Sequence, residues 1–251
     1  MKVILIDEPW MRAILPNGFP VGTSTLITGP GGSGKPLIGN VFAARWLQEG
    51  GSVVFMSLQY PRHELIVEGL RRVAGVELES HRERLAFVEL DATLDGLEQP
   101  EARRFRANLV KPAVWRRTLR EATAAVPSGG PGTLIFGSAL NLLLFSPTYG
   151  TEILEEMKKT LRDPGENSLL FAVSSSAKAE EIGELEAIAD NLLVSHASRK
   201  PFRLYLKVER MRGVRFEDHV QEVPIPPEVL SEVKEVADHS RKRVIPLISS
   251  I

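Results

Sequence analysis

Cysteine is absent from this chain of 251 residues, and several kinds of site are excluded with it. Without thiols there is no disulfide, no Cys-ligated zinc or iron–sulfur centre and no cysteine nucleophile. Long apolar runs are missing too, since none approaches the ~18 residues that cross a bilayer, and we expect no membrane partner. A net charge of −1 gives no overall attraction to nucleic acid. These absences predict a cytoplasmic protein.

The most informative segment is glycine-rich: Gly29–Lys35 reads Gly-Pro-Gly-Gly-Ser-Gly-Lys. It follows an apolar strand end, and a helical pattern with Ile38, Phe42 and Trp46 at four-residue spacing comes after it. Glycines let successive N–H groups converge on one anion, while the lysine and the start of a helix add positive charge. The segment therefore predicts a phosphate-binding loop of the G-x-x-x-x-G-K type.

We expect the contacts with the nucleotide, ATP or ADP, to come from this loop and from the first helical turn after it. The predicted contact residues are Gly29, Gly31, Gly32, Ser33, Gly34, Lys35, Pro36 and Leu37. Pro36 stands where such loops carry Ser or Thr, whose hydroxyl binds Mg²⁺. A proline has neither that hydroxyl nor an N–H, although the first turn of a helix accepts it. We therefore predict that Mg²⁺ binds weakly.

Short apolar strands alternate with amphipathic helices along the chain. This pattern predicts an α/β fold, RecA-like in class, with a mostly parallel central sheet and helices on both faces. Residues 91–111 have no clear period, and we predict a long surface loop there, with or without a short helix. The domain prediction is one unit at 1–226, followed by a C-terminal helix and tail at 227–251 that packs on the same unit.

Three segments together resemble the KaiC-like and RadA-like branch of the RecA superfamily of P-loop ATPases. The segments are Gly18–Lys35, Ala189–Leu193 and Arg210–Gly213. The resemblance spans about residues 15–226. In this family, basic residues on the last segment reach the γ-phosphate held by a neighbouring subunit. The resemblance thus implies a trans-interface role for Arg210 and Arg212 in a homo-oligomer.

The chain departs from this family at the positions that carry hydrolysis, and the resemblance therefore implies a degenerate member. Gln59 stands where the family has a glutamate that activates water, and an amide does not accept that proton at neutral pH. Gly137 replaces the aspartate that supports Mg²⁺, and Pro36 replaces its hydroxyl ligand. A neighbour such as Ser138 or Asp190 is able to compensate for one of these changes, but hardly for all three.

The predicted function is a nucleotide-binding protein that binds ATP weakly, hydrolyses it little or not at all, and acts through contacts with itself or with a protein partner. One alternative is a slow but working ATPase with an unusual metal site. Another is a pseudo-ATPase scaffold that binds no nucleotide.

A further alternative is a RadA-like DNA-binding accessory factor. It depends on aromatic residues interleaved with basic ones, which is a pattern of single-strand binding. The aromatic residues are Phe105 and Trp115, and the basic ones are Arg103, Arg104, Arg106, Lys111, Arg116, Arg117 and Arg120. Trp115 also has the spacing of a core residue relative to Leu119, which favours burial instead.

Overall fold

The computed structural model describes residues 2–58, 66–67, 70–71, 75–225, 229, 238 and 242–251. Within these ranges the strands are β1 Val3–Ile4, β2 Phe19–Pro20, β3 Ser24–Thr28, β4 Ser52–Ser57, β5 Leu85–Leu90, β6 Leu97–Glu101, β7 Arg104–Ala107, β8 Thr133–Ser138, β9 Ser168–Ala172, β10 Asn191–Arg199, β11 Phe202–Arg210 and β12 Gln221–Val223. The helices are α1 Pro9–Ile14, α2 Lys35–Gln48, α3 Pro112–Ala124, α4 Gly150–Arg162, α5 Ala179–Ile188 and α6 242–248. Short 3₁₀ segments cover Leu78–Arg84 and Leu140–Phe145.

In the part of the chain that the structure describes, ten strands form one sheet in the order β12-β11-β10-β3-β9-β8-β4-β5-β7-β6. The strands from β10 to β7 in this order all run parallel, and only the outer pairings at each edge are antiparallel. This confirms the predicted α/β class with a mostly parallel sheet. Its consequence for function is that the carboxyl ends of the central strands meet at one edge, where α/β folds bind ligands.

Each face of the sheet packs against its own hydrophobic core. Successive residues of a strand point to opposite faces and so belong to different cores. In β4, Phe55 belongs to the core that contains α1 and α2, whereas its neighbours Val54 and Met56 belong to the core that contains α3, α4 and α5. Both cores are built from strand residues that are almost inaccessible to solvent, as expected for a parallel sheet covered on both faces. Helix α2 is buried along nearly its whole length.

The prediction of a surface loop over 91–111 was wrong, because this segment contains the edge hairpin β6–β7. The turn between the two strands includes Arg103, whose φ is +65°. Strand β7 alternates, with Phe105 and Ala107 buried and Arg106 exposed, but β6 is an edge strand with exposed charges and a proline. An edge strand needs little apolar content, and for that reason the sequence lacked the usual strand signal.

The C-terminal segment falls partly outside the described residues, including Pro227 and most of the predicted helix that follows it. The described helix α6 contributes the fully buried Ile248 to the core on the α3–α5 side of the sheet, and Ile251 packs beside it. No helix among the described residues has both the length and the apolar character needed to cross a membrane.

Candidate phosphate-binding site

The glycine-rich segment forms the connection from β3 to α2, at the carboxyl edge of the sheet. Gly29, Gly32 and Gly34 have φ values of +133°, +79° and +71°, which side-chain-bearing residues rarely adopt. At Gly29 a side chain is also excluded by space, because a Cβ there would lie 2.0 Å from the Ser195 carbonyl oxygen. The loop thus lies between a strand and a helix, as predicted. Its glycines are required by the positive φ values of the backbone there.

Backbone N–H groups are the hydrogen-bond donors that the loop offers to a ligand. Within the described chain, the N–H groups of Gly32, Ser33 and Gly34 donate to no protein acceptor. The N–H of Gly31 donates to Ser176 Oγ at 2.9 Å, so it is already used. Three consecutive N–H groups of this kind, at the start of a helix, are the arrangement that binds phosphate oxygens.

The ammonium group of Lys35 is folded onto the loop itself. Its Nζ donates to the carbonyl oxygens of Gly29 and Pro30 at 2.9 and 2.7 Å and to Ser33 Oγ at 3.1 Å. The side chain is buried, with 6% of its surface exposed. The positive charge therefore lies against the loop whose N–H groups would receive a bound phosphate.

Two serines outside the motif contact the loop and hold it in shape. Ser195 Oγ on β10 lies 2.7 Å from Ser33 Oγ and donates to the Thr28 carbonyl at 3.0 Å. Ser176, in the serine run after β9, accepts from Gly31 as described. A serine in a strand carries no distinctive sequence signal, and only the parallel pairing of β10 with β3 brings Ser195 here.

Pro36 and Leu37 occupy the first turn of α2, and the helix begins at Lys35 in spite of the proline. The N–H of Leu37 donates to the Gly34 carbonyl at 3.0 Å, and its side chain is 1% exposed in the core. Leu37 therefore anchors the helix. Pro36 is buried and has no donor to offer.

Ser138 and not Gly137 faces Pro36 on α2. The role of position 137 in the support of Mg²⁺ stays a prediction. A Cβ at Gly137 would lie 2.4 Å from Leu140 Cδ1 and 3.0 Å from Phe171 Cδ1, on the face away from α2. Strand alternation turns Ser138 to the α2 face, where it lines a small cavity with Pro36. Gln59, the predicted water-activating position, lies outside the described residues.

Asp190 and Arg212 lie at the opposite end of β3 from the loop. Asp190 Oδ2 accepts from the backbone N–H of Ser24, the first residue of β3, at 3.1 Å. Its Oδ1 pairs with the Arg212 guanidinium at 3.0 Å. Because the phosphate loop follows Thr28, at the other end of the strand, Asp190 is not beside the loop.

The two predicted trans-interface arginines differ in how they are held. Arg210 donates to the backbone carbonyls of Glu186 and Ala189, the latter at 2.7 Å, and so caps the carboxyl end of α5. Arg212 is more accessible, with 64% of its side chain exposed. Arg212 is thus the arginine of the pair whose guanidinium is more open to solvent.

The aromatic residues proposed for nucleic-acid stacking are buried. Phe105 and Trp115 are 1% and 0% exposed, and Trp115 Nε1 donates to Thr160 Oγ1 at 3.2 Å. The predicted core role of Trp115 is confirmed. Most of the neighbouring basic side chains are paired with carboxylates: Arg103 with Glu83, Arg104 with Glu89 and Glu101, Arg106 with Asp91 and Glu98, Lys111 with Asp95, Arg116 with Glu156, and Arg117 with Glu121.

Comparison with known proteins agrees with this geometry. The family model described as the KaiC ATPase matches residues 9–235. Among solved structures, the chain is similar to the KaiC-like protein PH0186 from the hyperthermophilic archaeon Pyrococcus horikoshii OT3, with a TM-score of 0.66, 19% identity, and coverage of 90% of this chain and 96% of that one. No curated protein matches the sequence. With a phosphate loop in place and a family match over most of its length, the chain belongs to the KaiC ATPase family.

Proposed function

We propose that this protein binds ATP or ADP weakly at Gly29–Lys35, hydrolyses it little or not at all, and uses the occupied site to shape contacts with other protein chains. The observation that carries the proposal is a complete anion-binding loop directly followed by a proline. Membership of the family makes it a RecA-superfamily nucleotide-binding protein; the weak binding and the loss of hydrolysis are our inference from the residues around the loop.

The donors of the loop support nucleotide binding. Three backbone N–H groups converge at the start of α2, and the Lys35 ammonium lies beneath them. Oriented N–H groups bind an anion without a metal ion, since their dipoles are held in place by the fold. Phosphate therefore fits the residues that are present.

Mg²⁺ does not fit these residues. Pro36 has no hydroxyl, and the other groups that line the cavity beside it are neutral. In the described ranges no cluster of three His, Asp or Glu residues is arranged to hold a metal ion. Since Mg²⁺ is usually held by one or two carboxylates together with substrate phosphates, we expect the nucleotide to bind with little dependence on it. Metal and base contacts supply most of the rate in phosphoryl transfer, so turnover should be very slow.

Contacts between chains are the remaining part of the proposal. Arg212 lies at the end of β3 opposite the loop of its own chain, where its guanidinium pairs with Asp190 and 64% of its side chain is exposed. We expect a homo-oligomer, or a complex with another protein, in which Arg212 approaches the nucleotide of the neighbour. The burial of Phe105 and Trp115 argues against the DNA-binding alternative.

One observation favours the scaffold alternative. The Lys35 ammonium already has three acceptors within the loop, so a phosphate must compete with them. A loop stabilised by its own lysine in this way needs no ligand in order to keep its shape. A protein that works only through its surface and binds no nucleotide is consistent with that geometry.

Thermal unfolding with ATP separates the two functions, because a ligand that binds the native state raises its stability. At ten times the dissociation constant we expect a gain of about 1.4 kcal/mol, on the order of 3–6 °C. The gain should be nearly equal in EDTA and in MgCl₂, and Lys35→Ala should abolish it. A wild-type protein that shows no shift at millimolar ATP would support the scaffold. Phosphate release well above that of Lys35→Ala would contradict the proposed loss of hydrolysis.

A further inference from the structure

A small cavity lies directly beside the phosphate loop, between the first turns of α2 and the carboxyl ends of β4 and β8. Its walls include Pro36 and Asn40 from α2, Ser57 from β4 and Ser138 from β8. The parallel pairing of β4 with β8 sets Ser57 next to Ser138. Since Pro36 follows the loop lysine and also lines the cavity, the cavity adjoins the place where a bound phosphate lies.

Two of the polar side chains that line this cavity are buried without a hydrogen bond. Ser138 is 3% exposed, and its Oγ has no partner. Asn40 is 6% exposed, and its amide makes no hydrogen bond to any residue that the structure describes. A buried polar group left unpaired costs ~1–3 kcal/mol, so native structures pair such groups, often with ordered water. The unpaired Ser138 hydroxyl, with the Asn40 amide on the same cavity, indicates a bound polar molecule.

The size and chemistry of the cavity define that molecule. Its volume of about 10 Å³ is close to the ~10–15 Å³ that a single water needs. The hydroxyl and amide groups of its wall are uncharged and both donate and accept hydrogen bonds. They do not compensate the charge of Mg²⁺ as a carboxylate does. The cavity therefore fits one neutral water molecule better than a metal ion.

We propose that Asn40 and Ser138 hold one ordered water molecule that hydrogen-bonds the terminal phosphate of the nucleotide, in the place where other phosphate loops use a metal ion. The inference rests on the proposed function and extends it: the ligand class is a nucleoside di- or triphosphate recognised without metal. Ser138 and Asn40 are then positioning residues, which act on the phosphate through the water. Pro36 suits this arrangement because it brings no hydroxyl that would compete for the water.

The test is calorimetric titration with AMP-PNP, a non-hydrolysable ATP analogue, in EDTA. Ser138→Ala should weaken binding by about 3–10-fold, as expected for the loss of one water-mediated hydrogen bond. Thr118→Val is the matched control, because Thr118 Oγ1 on α3 is the other buried hydroxyl without a partner in the described chain and lies in the core away from the loop. Its affinity should stay within about twofold of wild type.

A crystal structure with AMP-PNP and EDTA completes the test, and it should contain a water molecule within hydrogen-bond distance of both Ser138 Oγ and the terminal phosphate. Equal effects of Ser138→Ala and Thr118→Val would overturn the inference. So would a tenfold gain in wild-type affinity with Mg²⁺ that Ser138→Ala removes, since Ser138 would then serve a metal ion. Loss of binding in Lys35→Ala but not in Ser138→Ala leaves the proposed function standing and refutes the role of the water. If wild type does not bind AMP-PNP, the proposed function itself fails.

Discussion

Buried polar side chains near the two ends of strand β3 differ in their hydrogen bonding. At the amino end, the Asn191 amide donates to Thr23 Oγ1 and Thr25 Oγ1 at 2.9 and 2.8 Å, and Asn191 is fully buried. Near the carboxyl end, Asn40 and Ser138 are also buried but have no protein partner among the described residues. Saturated hydrogen bonding at one end is what a scaffold requires, whereas unpaired groups at the other end indicate a place made for a ligand.

The two ends of β3 also differ in charge, because the charges at the amino end are paired and the carboxyl end is positive. The amino end has the ion pair of Asp190 with Arg212, and Asp190 also exchanges hydrogen bonds with Ser24. The carboxyl end has the Lys35 ammonium and the N–H groups of the loop. Positive charge at this end attracts phosphate, and no cluster of three acidic or histidine side chains that could hold a metal ion occurs in the described part of the chain. The comparison thus separates the part that holds the fold from the part that holds the ligand.

The largest effect is expected from Gly29→Ala in the loop. The new methyl group would lie 2.0 Å from the Ser195 carbonyl oxygen, at a φ of +133°. We expect a loss of about 3–5 kcal/mol in the free energy of unfolding, from steric overlap and backbone strain together. Gly32→Ala is the matched control: its φ of +79° is also positive but nothing lies within 4 Å, so about 1 kcal/mol is expected. Urea denaturation measures both, and equal losses would contradict the close packing of the loop on β10.

The next largest effect on stability is expected when the two buried asparagines, Asn191 and Asn40, are each replaced by alanine. Asn191→Ala removes the amide donor from both threonine hydroxyls, of which, in the described chain, only that of Thr23 keeps another bond, to the Pro20 carbonyl. It also removes the acceptor of the Arg212 backbone N–H, so we expect a cost of about 2–4 kcal/mol. Asn40→Ala breaks no protein hydrogen bond among the described residues and should cost about 1 kcal/mol or less in the absence of nucleotide. Chemical denaturation of the two variants measures the loss in the free energy of unfolding. Similar losses for the two variants would contradict the difference in hydrogen bonding between the two ends of β3.

A carboxylate introduced at position 137 or at position 138 of β8 tests which of the two residues faces the loop. Gly137→Asp adds atoms against Leu140 and Phe171, so we expect about 1–3 kcal/mol of destabilisation and no change in the effect of Mg²⁺ on ATP binding. Ser138→Asp, combined with Pro36→Thr, places a carboxylate and a hydroxyl on the α2 face and should make ATP binding depend on Mg²⁺. Titration with and without the metal measures this. Metal dependence gained by Gly137→Asp instead would show that our assignment of the two faces is reversed.

The smallest effect concerns an ion pair away from both ends of β3, between α3 and α4. Burial alone raises the pKa of Glu156, but hydrogen bonds from Lys159 and Arg116 outweigh it, so the pKa lies below the ordinary 4.5. A lowered pKa in the folded state means that stability is present above pH 4.5 and is lost as the pH falls through the folded value. Below that pH we expect the Tm of wild type to fall more steeply than that of Glu156→Gln. Parallel curves would indicate that this pair contributes no pH-dependent stability.

The loop and the fold class were predictable because their signals are local. Glycines at 29, 32 and 34 and a lysine at 35 define the phosphate loop within seven residues, and alternating apolar strands and amphipathic helices indicate a parallel sheet. The edge strand β6 was missed because an exposed edge needs few apolar residues. Ser195 was missed because its role depends on which strand lies beside β3.

The order of residues alone specifies that a strand, a glycine-rich turn and a helix follow one another here, and that the residue after the lysine has no hydroxyl. These properties depend on backbone preferences over a few neighbouring residues. Tertiary structure decided that Ser138 rather than Gly137 faces α2, that Asp190 lies at the far end of β3, and that Arg210 caps a helix. The physical reason is that strand register and side-chain alternation, which are set by packing across the whole sheet, control which distant residues meet.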